Sequence, residues 1–200
     1  MNDDEYNRYI LIKDNILSAE VCESIIERFE KNSVKNKQND RESLHKFIPG
    51  DKTFGFVFDQ HDEDWIDIFD ILNNSVITHI KEYLKRTEYD YIPEKLYFPY
   101  CNVQKILEGG FYGLHIDGRV RGQYKTSRVI TCIWYLNDVE KGGETSFPKT
   151  GFKVKPKTGR LVFFPSNPPF IHEGLPPSET KYIVSCWLEI ETPFVNINYA

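Results

Sequence analysis

Gly113-Leu114-His115-Ile116-Asp117-Gly118 is the stretch on which the reading of this chain turns. In an extended backbone successive side chains alternate between faces, so His115 and Asp117 leave the same face one step apart. Two ligands so placed cover one edge of a metal ion, and a third must come from elsewhere. The chain holds five histidines: His45, His61, His79, His115 and His172. His172 is the one set in a second apolar, strand-like region, where Gly159-Arg160-Leu161-Val162-Phe163-Phe164 is followed by a short loop and Phe170-Ile171. Two imidazoles and one carboxylate on one side of a metal, with the other positions open, form the facial triad of non-haem Fe(II) sites. A His and an Asp at strand spacing are also a commonplace surface pair. Taken alone, the pattern leaves both readings open.

Outward from this stretch the chain divides by periodicity. After Pro93, short runs rich in aromatic and β-branched residues are separated by Gly, Pro and Asn. They span 96–107, 111–116, 128–136, 144–147, 152–154, 161–164 and 182–190. Strands this numerous, with no helical stripe, indicate an antiparallel double sheet or barrel. Before them, Val21, Cys22, Ile25, Ile26 and Phe29 recur at helical spacing behind Ser18, a candidate N-cap, predicting a helix over 18–31. Trp65, Ile68, Phe69, Leu72, Val76, Ile77, Ile80 and Leu84 predict a second helix over 63–86. The polar run 32–43 reads as a loop. His61 and His79 fall in the second helical region and His45 just after the polar loop, so packing or solvation is their simpler reading. The expected layout is α+β: one domain over 1–200, with a helical part to about 92 packed on one side of a β-sandwich from about 93.

Composition narrows the class. Two hundred residues suffice to bury a sizeable core, and the 14% aromatic content favours strands and an aromatic-lined pocket. A formal charge of −5 argues against general nucleic-acid affinity. No run approaches the roughly 18 apolar residues a membrane span needs. The acidic start, Met1 to Tyr6, does not read as a signal peptide. Cys22, Cys101, Cys132 and Cys186 lie far apart among apolar neighbours, as reduced core residues of a cytoplasmic protein do.

Several segments in order resemble the prolyl 4-hydroxylase branch of the Fe(II)- and 2-oxoglutarate-dependent oxygenases. These are Asp14 to Ser18 leading into Cys22; Phe111-Tyr112-Gly113-Leu114-His115-Ile116-Asp117; and Arg128-Val129-Ile130-Thr131 through Trp134-Tyr135-Leu136-Asn137-Asp138-Val139. Gly142-Gly143-Glu144-Thr145 with Phe147-Pro148, then Gly159 to Phe164, His172, Lys181 and Trp187, complete the series. The resemblance implies a double-stranded β-helix (jelly roll) in which His115, Asp117 and His172 hold Fe(II). It implies that 2-oxoglutarate and dioxygen take the remaining positions. 2-Oxoglutarate is then decarboxylated to succinate while a substrate C–H bond is hydroxylated, with ascorbate as reductant. A carbonyl or carboxylate behind each imidazole is expected to fix its tautomer.

The far carboxylate of 2-oxoglutarate needs a cation. Lys181, nine residues after His172 and six before Trp187, is the candidate, with a surface lysine as the plain alternative. Thr145 is a candidate hydroxyl for the same carboxylate, or an ordinary strand threonine. Tyr112 is a candidate contact at the pocket rim, or core. Trp187 completes the candidate co-substrate set. Where the family often carries a tyrosine that hydrogen-bonds 2-oxoglutarate, nine residues before the first ligand, this chain has Ile106. Gln104, two residues earlier on the same face, is a candidate substitute donor.

The basic segment 118–128 follows a ligand directly and is a candidate lid, or a solvated hairpin tip. Its four positive charges would suit an acidic partner. By resemblance, the leading substrate is proline in an extended peptide. Two other readings stay open: an oxygenase acting on a free amino acid or another side chain, and a metal-binding jelly-roll module without turnover. Succinate production separates the second from the enzyme readings.

Overall fold

The computed structural model describes residues 2–36, 52–88, 95–118, 120–121 and 126–191. In chain order the elements are α1 (Asp3–Arg8), β1 (Leu11–Lys13), α2 (Ala19–Asn36), β2 (Thr53–Phe58), α3 (Ile66–Thr87), β3 (Cys101–Ile106) and β4 (Tyr112–His115). There follow β5 (Val120–Arg121), β6 (Thr126–Tyr135), β7 (Thr145–Phe147), β8 (Phe152–Val154), β9 (Arg160–Pro165), β10 (His172–Gly174) and β11 (Lys181–Glu191). One sheet has the order β1-β9-β6-β11-β3-β2, with β5 on β6; the other has the order β4-β10-β7-β8. All pairings are antiparallel.

Alternation along the long strands assigns their two faces. Ile130, Cys132 and Trp134 of β6, Leu161 and Phe163 of β9, and Val184, Cys186 and Leu188 of β11 pack with α2 and α3 through Ile25, Phe29, Ile68, Leu72 and Tyr83. The intervening residues, Ile133 and Tyr135, Val162 and Phe164, and Ile183, join Phe147, Val154 and Phe170 in a second core between the sheets. Burial on both faces is why these strands read as nearly continuous apolar runs. The fold is thus α+β, a jelly roll with α2 and α3 covering the outer face of its large sheet.

Several details depart from the sequence expectation. The helix expected to end at Lys31 continues to Asn36, so the start of the presumed loop is helical; the rest of 32–43 and His45 lie outside the described residues. Ser18 accepts from the Val21 amide at 3.3 Å, as an N-cap does. The helix α1 was not expected; its signal is the Asn2–Glu5 capping box, in which each side chain accepts from the other residue's amide at 2.9 Å. The first ninety residues are also not purely helical. They supply β1 and β2, the outermost strands of the large sheet.

Candidate active site

The cavity lies between the sheets, and β11 runs along its length. Lys181, Ile183, Ser185 and Trp187 alternate inward from that strand and all line it. From the small sheet, β4 and β10 bring His115 and His172 opposite each other in register. Their rings stand 4.2 Å apart between centroids. Asp117, just past β4, faces both: its carboxylate oxygens lie 3.6 Å from His115 Nε2 and 3.4 Å from His172 Nε2. One ligand atom from each of the three falls within 4.8 Å of the others. The three residues picked out of the sequence are therefore brought together.

Each imidazole is oriented from behind. His115 Nδ1 contacts the Gly113 carbonyl at 2.8 Å, and His172 Nδ1 the Phe170 carbonyl at 3.1 Å. A carbonyl only accepts, so each Nδ1 carries the hydrogen and each Nε2 is left to present a lone pair toward Asp117. The Asp117 carboxyl is pushed up by burial. With no metal between them, the facing imidazoles in their protonated form donate to the carboxylate, outweigh that effect and hold it well below the usual carboxylate range. Two nitrogens and an anionic oxygen converging on one point form a donor set that fits a divalent transition metal. Thr131 of β6 fixes the other side of the carboxylate, donating to Oδ2 at 2.8 Å and sharing a 2.9 Å contact with Ser166. Thr131 was missed in the sequence. Its signal is a polar residue in the middle of an apolar strand buried on both faces.

Tyr112 sits edge-on to the His115 ring, 4.1 Å between centroids. Plain alternation would put residues three apart on opposite faces. Here His172 pairs with His115 while Gly174 pairs with Tyr112, so β4 spends three residues against two of β10. That bulge resets the alternation and turns Tyr112 into the cavity.

At one end of the cavity Lys181 is almost wholly buried, 4% exposed, and its ammonium donates to the Gly143 carbonyl at 2.8 Å. Desolvation pulls its pKa down to about 8, with Glu144 acting weakly the other way. A buried ammonium whose one hydrogen-bond partner among the described residues is neutral is under-compensated, and an anion is the group that would complete it. Thr145, two residues after Gly143, shares a 2.6 Å hydrogen bond with the Tyr135 hydroxyl. Burial pushes the Tyr135 phenol up, so it stays protonated. When Tyr135 donates, the Thr145 hydrogen is free to face the cavity. Ile106 pairs with Lys181 across β3 and β11 and lines the same end with a wholly aliphatic side chain.

Trp187 lies toward the other end, six strand residues from Lys181, or roughly 20 Å along β11. The Arg128 guanidinium stacks 3.7 Å over its ring. Arg128, counted in the sequence among the charges of a hairpin tip, is instead 8% exposed and faces inward. It hydrogen-bonds the Tyr100 hydroxyl, approaches the Asp117 carbonyl at 3.4 Å, and lies 3.9 Å from the buried Glu189 carboxylate. The remainder of the candidate lid, at 119 and 122–125, falls outside the described residues. His61 is exposed beside Gln60, and His79 Nδ1 meets the Ser75 carbonyl on its own helix; neither approaches the site.

Residues 101–189 match the family model of the 2OG-Fe(II) oxygenase superfamily. Among curated proteins, the chain is 39% identical over 69 residues to a putative prolyl 4-hydroxylase of Acanthamoeba polyphaga mimivirus, covering 30% of this chain and 28% of that protein. It is 32% identical over 88 residues to prolyl 4-hydroxylase 13 of Arabidopsis thaliana, covering 35% and 32%. The chain thus spans about a third of the length of these relatives. Among solved structures, it is similar to the viral collagen prolyl hydroxylase of Paramecium Bursaria Chlorella virus-1 in its 2OG complex, with a TM-score of 0.64 and 24% identity over 90% of this chain and 95% of that one. A prolyl hydroxylase of Trichoplax adhaerens, in complex with a hypoxia inducible factor peptide, gives a TM-score of 0.68 at 19% identity, over 93% and 86%. These structures share the jelly roll. The similarity to the 2OG-Fe(II) oxygenase superfamily thus rests on residues 101–189, a little under half of the chain.

Proposed function

We propose that this chain is an Fe(II)- and 2-oxoglutarate-dependent dioxygenase that hydroxylates a C–H bond of peptidyl proline, with decarboxylation of 2-oxoglutarate to succinate. One observation carries the reading: three converging donors, His115, Asp117 and His172, share a cavity with a buried ammonium whose hydrogen-bond partner among the described residues is the Gly143 carbonyl. In this reading the triad holds Fe(II). Lys181 takes the far carboxylate of 2-oxoglutarate, assisted by Thr145. Tyr112 packs beside the co-substrate at the first ligand, and Trp187 with Arg128 forms the wall at the opposite end. Iron supplies the activation of dioxygen. The protein orients the donors, excludes water and offsets charge. Asp117 neutralises part of the metal charge while Thr131 keeps its second oxygen engaged.

Proline as substrate is supported by the names of the relatives, and an extended peptide suits a cavity with aromatic walls. Ascorbate would serve as the reductant. We assign the chain to the cytoplasm, supported by its four free, buried cysteines. We treat residues 1–200 as one domain. No described helix is long and apolar enough to cross a membrane.

The test is succinate release by the purified chain with Fe(II), 2-oxoglutarate and ascorbate, with and without proline-rich peptides. The expected result is peptide-dependent succinate and a product heavier by one oxygen atom on proline. Succinate coupled to another substrate would retain the oxygenase and overturn proline; none with any substrate would favour a binding module.

A further inference from the structure

We propose that Gln104 is a co-substrate-binding residue, its carboxamide donating to the carboxylate of the dicarboxylic co-substrate that lies nearest Lys181. The inference rests on the 2-oxoglutarate reading above and extends it to a residue specific to this cavity. Asn102, Gln104 and Ile106 alternate along β3 and all three line the cavity. Across β11, Gln104 pairs with Ile183 while Ile106 pairs with Lys181. Gln104 is therefore one rung from the ammonium on the same face, a diagonal of about 7 Å between Cβ atoms, which long side chains span.

Among the described residues, nothing around the carboxamide satisfies it. Its partner on β11 is the aliphatic Ile183, and its partner on β2 is Gly55, which has no side chain. Its neighbour toward Lys181 is Ile106. The Asn102 carboxamide lies over Gly55, where an added Cβ would come within 3.1 Å of its Oδ1, yet the two amides form no mutual hydrogen bond. Among the described residues Gln104 has no hydrogen-bonding partner, so its donors open into the cavity. The carboxamide is partly buried along the cavity wall, where a ligand that accepts from it gains a directed hydrogen bond. The acceptor must also suit an ammonium one rung away. A carboxylate meets both demands, taking charge from Lys181 and a directed N–H from Gln104. The planar amide adds what a flexible ammonium lacks, a fixed donor direction that discriminates the length of the diacid.

The test is anaerobic calorimetric titration of the full chain loaded with Mn(II) as a redox-inert probe. The ligands are 2-oxoglutarate and 2-oxopentanoate, which shares the chain and the 2-oxo acid end but lacks the far carboxylate. Gln104→Leu is expected to weaken 2-oxoglutarate about tenfold or more while leaving 2-oxopentanoate within about twofold, since only a hydrogen bond to the far carboxylate is lost. Gln104→Glu, close in shape, keeps the test decisive if the leucine variant does not fold. It places a second anion against the far carboxylate and is expected to weaken 2-oxoglutarate far more than 2-oxopentanoate. Unchanged 2-oxoglutarate binding in either folded variant overturns the assignment, as does equal weakening of both ligands. Wild-type chain that binds no 2-oxoglutarate overturns both this assignment and the oxygenase reading; intact wild-type binding with indifferent variants overturns this one alone.

Discussion

Replacing Lys181 with Met should make the ligand-free protein more stable while abolishing its response to 2-oxoglutarate. Lys181 is buried, with the Gly143 carbonyl as its hydrogen-bond partner, and desolvation takes its pKa from 10.5 to about 8. A fall of that size at about 1.36 kcal/mol per tenfold change means the charged form costs the fold about 3 kcal/mol at neutral pH. Met fills similar space without charge. It leaves the Gly143 carbonyl unpaired, a loss of about 1 kcal/mol. The net expectation is about 2 kcal/mol of added stability, a rise in Tm of roughly 4–8 °C for a chain of this size. The sign with pH follows from the same shift. Between about 8 and 10.5 the unfolded chain binds the proton that the folded chain has released, so wild-type stability should climb across that window and stay level below it. Lys181→Met should lack the climb. Adding 2-oxoglutarate with Mn(II) should raise the wild-type Tm by mass action and leave the variant unmoved, because a diacid without its cation loses roughly 3–5 kcal/mol. Differential scanning calorimetry of both proteins at pH 7 and across pH 8–10.5, with and without ligand, reads every part. A variant that melts no higher than wild type, or wild-type and variant curves that run parallel across the alkaline window, would refute the buried-charge argument.

Asp117→Ala should raise the dissociation constant for Mn(II) by more than about 100-fold, beyond the loss typical of an outer-shell change, as read by electron paramagnetic resonance of the free ion. Thr131→Val keeps strand shape but removes the 2.8 Å bond to Asp117 Oδ2, so metal affinity should fall about 10- to 100-fold with far-ultraviolet circular dichroism unchanged. Unaltered affinity would mean that Asp117 holds its orientation without that hydroxyl. Gly159→Ala should destabilise the fold by about 1–3 kcal/mol, because Gly159 has φ +73° and an added Cβ would collide with the Leu17 carbonyl. Its denaturant midpoint should drop, while the metal affinity of the folded fraction stays that of wild type.

The parts of the site legible in the sequence were those that depend on local alternation. His115 and Asp117 share a face because strand side chains alternate, and His172 stood out as the histidine in a second apolar run. Lys181 followed from its spacing to His172 and Trp187 within a family resemblance. The inward turn of Tyr112 was not legible, since it depends on a bulge that exists only when β4 is paired with β10. Arg128 was misassigned to a charged hairpin for a related reason. Its sequence neighbours are basic, but its surroundings are Tyr100, Trp187 and Glu189, contributed by residues 28 to 61 positions away.

The sequence by itself determined the class of fold and the shared face of His115 and Asp117, and it marked His172 as the candidate third donor. The first two are encoded in periodicity within a short window. Tertiary structure alone decided how the N-terminal region supplies the outer strands β1 and β2, which carbonyls orient the imidazoles, and which amides line the cavity. The physical reason is register. Antiparallel strands distant in the chain align by burying complementary faces, and a shift of one residue would turn every inward side chain outward.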